Sequence, residues 1–517
     1  MIENQSDRPA EKSKGLYYSH KLTYPYLLII AVAVLFGSGY IAHNKALWYD
    51  EFFTLYIGQL PSLAQILGAF LDGASNNAPL DFMIRHLFMQ IAGPSSLSFR
   101  FPSLAMFIIG CLFLYKFVSF RTPSLPAAVA FCFPILTLAF HCSYEARYYA
   151  PFLASSAMAL YFWQQCVHKN YRIIYLFLLF FSLSFGCYIH FYGVFSFIPI
   201  TLAEIIRLYN SKTKTYKILI AIILSAASTV FLYPFVLHSA QQYSAHYFAA
   251  PRIGAIFSVY NLLLPDIGVT VAVILIVVAP LILYLHKKQV TGYSSDNQEI
   301  PIHELVAAAV FSVLPFIIWV AAKTITNAYW SKYCIASISG MSILAAYVCD
   351  LIGKWRNIVG ITLVTCMVLL SAYTIGKSVY VNLDQGPRIA EKLVDLIESS
   401  KLPVVISHGH QYLYYDHYLP QNMRDKVSFL LDRKLSIKYL GEDTDNMSLI
   451  DLNKVRRFNL QPWDSFSKRN KEFYILTRHL NDGWPIQLMR DDLLENKLDL
   501  DLIYFSDKAS VVKVHYK

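Results

Sequence analysis

Trp48-Tyr49-Asp50-Glu51 sets two adjacent carboxylates just beyond the first hydrophobic stretch, Tyr24 to Ile41. Acidic groups at a membrane surface are costly to desolvate and usually have a task. Three other clusters carry compatible chemistry. Tyr144-Glu145-Ala146-Arg147-Tyr148-Tyr149 offers a carboxylate, a guanidinium and phenols; Tyr188 to Tyr192 offers His190 and Tyr192; Tyr329 to Tyr333 offers Lys332 and Tyr333. A carboxylate serves as base, metal ligand or hydroxyl acceptor, and cations and phenols hold a phosphate. The set suits an anionic lipid phosphate and an acceptor hydroxyl.

The elements that must position these groups are membrane helices. Of 517 residues, 56% are hydrophobic and 15% charged, whereas soluble domains are about a quarter charged. Eleven apolar runs are expected to span: 24–41, 101–118, 124–140, 148–165, 172–189, 191–207, 217–237, 267–286, 304–322, 334–351 and 357–378. The first run is long and lacks a small-residue cleavage site, so it reads as an anchor and not a cleavable leader. With the N-terminus inside, the inner loops collect Arg8, Lys12, Lys14, Lys21, Arg121, Lys169, Arg172, Arg207, Lys287, Lys288, Lys354 and Arg356. The outer loops before the last span hold far fewer cations, which is the expected bias. The net charge of +10 is thus accounted for by topology and does not imply nucleic acid. All eight cysteines lie in or beside apolar runs and the C-terminal third has none, so that part needs no disulfides on either side of the membrane.

The first outer loop, 43–99, is long and predicts two amphipathic helices. Leu63, Ile66, Leu67, Phe70 and Leu71 share one face. Leu80, Met83, Ile84, Leu87, Phe88 and Ile91 share another, opposite Asp81, Arg85 and Gln90. Such helices lie in the interface and could cover a cavity between spans. From about residue 382 the composition turns polar. Helical patterns at 389–397 and 486–494 alternate with strand signals at 404–406, 473–476 and 511–514, which predicts a soluble α/β domain. The division is a membrane catalytic domain at 1–381 and an extracytoplasmic domain at 382–517. His408, His410 and His417 lack a metal-ligand spacing and read as loop residues.

The order of these motifs resembles the GT-C superfamily of glycosyltransferases, in the branch of bacterial protein O-mannosyltransferases and lipid A aminoarabinose transferases. The resemblance rests on Trp48-x-Asp50-Glu51, Ala78-Pro79-Leu80, Arg100-Phe101-Pro102-Ser103, Glu145-Ala146-Arg147-x-Tyr149, Tyr188-x-His190-x-Tyr192 and Lys332-Tyr333. It implies transfer of a sugar from a polyprenyl-phosphate donor, usually with inversion at the anomeric carbon. Asp50 matches the family's candidate general base. Glu51 would position the acceptor or support a divalent metal, a role open to Glu145 as well. Arg147, Lys332 and Tyr333 would hold the leaving phosphate, with Glu145 a further catalytic candidate and His190, Tyr192, Tyr149 and Arg85 in the active site. Two departures stand out. Relatives often have His-Pro-Pro-Leu-Tyr where this chain has Asn77-Ala78-Pro79-Leu80-Asp81, and Lys332 replaces an arginine, losing the bidentate fork.

The expected protein is a multi-pass enzyme of the cytoplasmic (inner) membrane, its active site and C-terminal domain facing the periplasm. Its partners are a polyprenyl-phosphate sugar, membrane lipids and a protein, lipid or glycan acceptor. A transporter or lipid flippase with an outer accessory domain is the competing class. Transporters tend to carry internal repeats and mid-membrane charges, whereas these charges gather at one face. A polymerase joining lipid-linked oligosaccharides would share the outer-face chemistry.

Overall fold

The computed structural model describes residues 12–265 and 300–517, apart from 123, 169–171, 212–214, 244–247, 351–355, 384–385, 479–482 and 507–508. The expected span at 267–286 lies outside the described residues. In hydrocarbon every backbone group must be paired within its own segment, so the apolar runs fold as helices. Among the described residues, four are long and apolar enough to cross a membrane: Tyr24–Asn44, which is part of α1 (Lys12–Asn44), Ser96–Ser119, Phe191–Asn210 and Lys217–Ser239. Ile302–Ser312 and Leu314–Thr326 make a fifth if taken as one span bent by 53°. Pro315 sits in the first turn after that bend, where its missing N–H breaks the ladder. Pro126–Leu136, Ile173–Ile189 and Ser337–Asp350 are shorter apolar helices.

Several expected spans are therefore interrupted. The run at 124–140 passes through a 3-10 turn at Phe133–Leu136 before Leu138–Cys142. The division of 172–207 into two expected spans falls at His190, between Ile173–Ile189 and the 3-10 turn Phe191–Ser196. Phe107, Leu153, Trp163 and Ile343 sit in the bundle core, while Leu28, Phe36, Ile223 and Phe231 are exposed, as lipid-facing positions must be. The protein is a multi-pass membrane protein.

The first loop folds into three helices: α2 (Tyr49–Gly58), α3 (Leu63–Leu71) and α4 (Leu80–Ala92). The sequence pattern signals only the last two. Asp50 and Glu51 consequently do not end the first span; they open α2, where acidic groups favour the helix N-terminus. On α4 the buried side is mixed, with Phe82 and Met89 buried beside polar residues and Gln90 exposed. Asp81 and Arg85 are buried, and Leu87 and Ile91 are exposed. At a membrane interface the apolar face goes to lipid and the polar face to the protein. The jaw then leads into α5 (Ser96–Ser119), which carries Arg100 and Ser103.

The last long helix, Arg356–Asn382, leads to a six-stranded sheet of order β3-β2-β1-β4-β6-β5. Its strands are β1 (Val404–Ile406), β2 (Val427–Leu431), β3 (Leu460–Pro462), β4 (Glu472–Thr477), β5 (Leu498–Phe505) and β6 (Ser510–Tyr516). The first four in that order are parallel; β6 and β5 are antiparallel. The helix Gly409–Tyr418 carries the domain onto the jaw. Leu47 N–H donates to Tyr418 OH at 2.9 Å, Tyr56 OH meets His417 Nδ1 at 2.9 Å, and the Arg456 guanidinium lies 4.4 Å from the Tyr56 ring centre. Phe52, Tyr56 and Ile57 of α2 belong to one hydrophobic cluster with Tyr412, Leu413 and Leu449. His408, His410 and His417 are thus not in a loop: His408 caps this helix, accepting the His410 N–H through Nδ1 at 3.2 Å.

Candidate functional site

One end of the bundle gathers the jaw, the stretch 143–148, the break at His190 and the turn Ser331–Cys334. Arg100 organises it. A guanidinium has five N–H donors, and Arg100 makes five hydrogen bonds. Two go to Glu51, Nε to Oε1 at 2.7 Å and Nη2 to Oε2 at 2.6 Å; the others go to the carbonyls of Ala42, Lys45 and Ala46 at 2.8, 2.8 and 3.1 Å. Glu51 also accepts the Ala146 N–H at 2.6 Å and the Trp48 N–H at 3.2 Å. One buried ion pair therefore locks the end of α1, the start of α2 and the 145–147 turn together. Burial pushes the Glu51 pKa up, but Arg100 and the Ala146 N–H outweigh it and hold the carboxyl below its ordinary range.

This lock sets Asp50 beside Arg147. Arg147 donates through Nη1 to the Asp50 carbonyl and to Thr54 Oγ1, both at 3.1 Å, and through Nη2 to Tyr148 OH at 3.0 Å. Its Nη2 lies 3.6 Å from Asp50 Oδ2. The side chain of Arg147 is 4% exposed and that of Asp50 31%, and buried Arg147 Nε has no hydrogen-bond partner. A donor left unpaired and buried among the described residues is costly.

Glu145 and Lys332 pair with each other at 2.8 Å, and His141 Nδ1 lies 3.0 Å from Glu145. Burial raises the Glu145 pKa, but Lys332, His141 and Lys45 overcome it and hold the carboxyl well below the usual range. Lys332 Nζ also lies 4.3 Å from the Trp48 ring centre and 5.2 Å from that of Tyr149. Lys45, prominent in sequence only as a loop charge, sits nearby with its pKa lowered by burial against the pull of Glu145.

His190 is buried and stacks on Phe152 at 5.5 Å; its Nδ1 accepts the Tyr192 N–H at 3.0 Å. Burial, then Arg147, lowers its pKa to about 3, so it is neutral. Tyr192 OH meets Thr326 Oγ1 at 2.8 Å and donates to the Ala328 carbonyl. Arg85 stands apart: it is spent on Asp81, the Phe99 carbonyl and Ser103 Oγ at 2.8 to 2.9 Å. Its link to the centre is indirect, since Ser103 Oγ donates to the Arg147 carbonyl at 3.0 Å. Asp81, where relatives have tyrosine, is thus the Arg85 partner. Glu51 is thus held by Arg100 and Glu145 by Lys332. Among the described residues no group of three His, Cys, Asp or Glu side chains is arranged to hold one.

Two cavities meet here. The larger, about 350 Å³, opens between the jaw and the C-terminal domain and takes in Asp50, Arg147 and Tyr149. The smaller, about 180 Å³, runs among the spans past His190, Tyr192 and Thr326. Asn76, Asn77, Tyr148 and Tyr333 line both. The substituted Asn77 therefore faces the junction. Sequence motifs take in Asp50, Asn77, Arg147, Tyr148 and Tyr333, but not Thr54 or Asn76.

Residues 76–233 match the family described as dolichyl-phosphate-mannose-protein mannosyltransferase. The fold is similar to that of ArnT from Cupriavidus metallidurans, solved with undecaprenyl phosphate (TM-score 0.53) and in the apo state (0.54). Each comparison has 10% identity and covers 94% of this chain and 97% of that one. The archaeal oligosaccharyltransferase AglB from Archaeoglobus fulgidus is similar at a TM-score of 0.48 and 10% identity, covering 97% of this chain and 74% of that one. No curated protein matches the chain in sequence. The chain thus has an ArnT-like fold over nearly its whole length, and its residues 76–233 match the mannosyltransferase family model.

Proposed function

We propose that the protein transfers a sugar from a polyprenyl-phosphate donor to an acceptor hydroxyl at the outer face of the cytoplasmic membrane. The observation that carries this reading is the half-exposed Asp50 carboxylate beside buried Arg147, at the junction of a cavity among the spans with a cavity open to the soluble side. The span-side cavity suits the first prenyl units and the phosphate. Arg147 takes a phosphate oxygen through Nε, with Tyr148 and Tyr333 as phenol donors. The acceptor oxygen attacks the anomeric carbon, the bond to the phosphate oxygen breaks, and polyprenyl phosphate leaves with the electron pair. Asp50 receives the acceptor proton. The leaving group is already anionic and needs cations more than protonation. Glu51 acts as a positioning residue through Arg100, and the Glu145–Lys332 pair holds a second cation at the edge of the site. The cation bias of the loops supports an inward N-terminus and an outward C-terminal domain.

Undecaprenyl phosphate is the probe. Purified full-length protein should bind it, and Arg147→Gln should weaken binding about tenfold or more, the effect of losing one charge-assisted hydrogen bond. Unchanged affinity in that variant rejects the phosphate assignment.

A further inference from the structure

We infer that the C-terminal domain builds the acceptor subsite, and that this subsite takes a saccharide free of phosphate, sulfate and carboxylate groups. The inference rests on the transferase reading above and names its acceptor class. The 350 Å³ cavity that contains Asp50 is closed on its outer side by His408, His410, Glu442, Thr444 and Asp445. It is of small-molecule size. These residues are fixed in place. Gly409 N–H donates to Asp445 Oδ2 at 3.0 Å, Thr444 N–H donates to Glu442 Oε2 at 2.7 Å, and the His410 ring stacks on Tyr49 at 4.1 Å and 12°.

The wall combines two kinds of surface that a sugar ring needs. Aromatic faces are present at Trp48 and at Trp330, which packs edge-on with Phe248 at 5.5 Å; such faces cover the apolar C–H side of a ring. Carboxylates and amides, Glu442, Asp445 and Asn76 among them, accept and donate to hydroxyls. Charge then narrows the class. The cavity presents three carboxylates, Asp50, Glu442 and Asp445, against one guanidinium, Arg147. Arg147 is assigned to the donor phosphate. Among the described residues no lysine or arginine pairs with Glu442 or Asp445; the basic side chain beside Asp445 is His408, at 3.4 Å. Burial, then Asp445 and Asp443, raises the Glu442 pKa against its hydrogen bonds to Thr444. An anionic headgroup would add to that repulsion, whereas a neutral or amino-bearing saccharide would not.

The test is binding of the purified full-length protein to an array of neutral, amino-bearing, sulfated and phosphorylated oligosaccharides together with serine/threonine-rich peptides. Binding should be confined to the neutral and amino-bearing saccharides. Glu442→Gln and Asp445→Asn, which keep size and hydrogen-bonding shape, should each weaken it about fivefold or more, with undecaprenyl phosphate binding unchanged. Preference for anionic saccharides or for peptides, absence of saccharide binding, or wild-type binding by both variants overturns the assignment. Loss of undecaprenyl phosphate binding in the parent protein would instead strike the transferase reading itself.

Discussion

Asp50 and Glu51 are neighbours in sequence and should fail in opposite ways. The Glu51 side chain is fully buried and holds Arg100 through two bonds of 2.6 and 2.7 Å. Glu51→Gln removes the charge and places an amide N–H₂ against two donors, either Arg100 Nε and the Ala146 N–H or Arg100 Nη2 and the Trp48 N–H. Leaving a buried arginine uncompensated typically costs about 3–5 kcal/mol, a large part of a stability of about 5–15 kcal/mol. Asp50 is 31% exposed and stands 3.6 Å from Arg147. Asp50→Asn should cost less than that, because Arg147 keeps its hydrogen bonds to the Asp50 carbonyl, Thr54 Oγ1 and Tyr148 OH. Its effect falls on chemistry, since an amide cannot take the acceptor proton; losing a general base lowers the rate by about 10²–10⁴. Thermal unfolding of detergent-purified variants, with sugar transfer measured on the same samples, reads both quantities. Asp50→Asn should unfold near the wild-type temperature, bind undecaprenyl phosphate and transfer almost nothing; Glu51→Gln should unfold well below it. A Glu51→Gln protein as stable as wild type would refute the lock, and near-normal transfer by Asp50→Asn would end its assignment as base.

The Glu145–Lys332 pair should behave as a unit: Lys332→Gln alone destabilises by about 3–5 kcal/mol by stranding a buried carboxylate, and adding Glu145→Gln restores part of it. Additive losses in that cycle would mean that the two groups do not interact. The Glu145 pKa is depressed on folding, so its stabilisation is complete above the ordinary carboxylate value of about 4.3 and fades as pH falls below it. Unfolding temperature should thus gain nothing from this group between pH 6 and about 8 and decline toward acid; in Glu145→Gln the acid decline should be smaller, and an equal decline counts against the pairing. For orientation, Glu495→Cys at an exposed position of the C-terminal domain should react with a membrane-impermeant maleimide in sealed cells. Protection until lysis would invert the topology.

The motif order made the gathering of Asp50, Arg147, His190 and Lys332 readable, because each follows or adjoins an apolar run and alternation sends those ends to one face. What escaped is what depends on partners distant in the chain. Glu51 and Arg100 are 49 residues apart, and nothing local distinguishes a carboxylate that locks a turn from one that takes a proton. Helix α2 gave no amphipathic signal because most of it is buried, between α4 and the helix Gly409–Tyr418. On α4 the apolar stripe was legible but not its direction, which depends on lipid being the neighbour. Strands β1, β4 and β6 stood out as runs of β-branched and apolar residues. The edge strand β3 is three residues long and contains a proline, and β5 alternates leucine with aspartate, so neither presents a buried-strand signal.

The shared cluster of α2 and the helix Gly409–Tyr418 has a bearing on how the chain can be divided. A boundary at residue 382 is obvious in composition, yet residues on its two sides share one hydrophobic cluster. Cutting there would strip the cover from Phe52, Phe53 and Tyr56 and present their rings to water at the edge of the bilayer, next to Asp50. The membrane part without its tail would be a sticky surface and not a smaller enzyme. Change in this protein is accordingly constrained in pairs: a substitution on the outer side of α2 has to be matched on Gly409–Tyr418, so the soluble part is bound to its own membrane half and is not an interchangeable module.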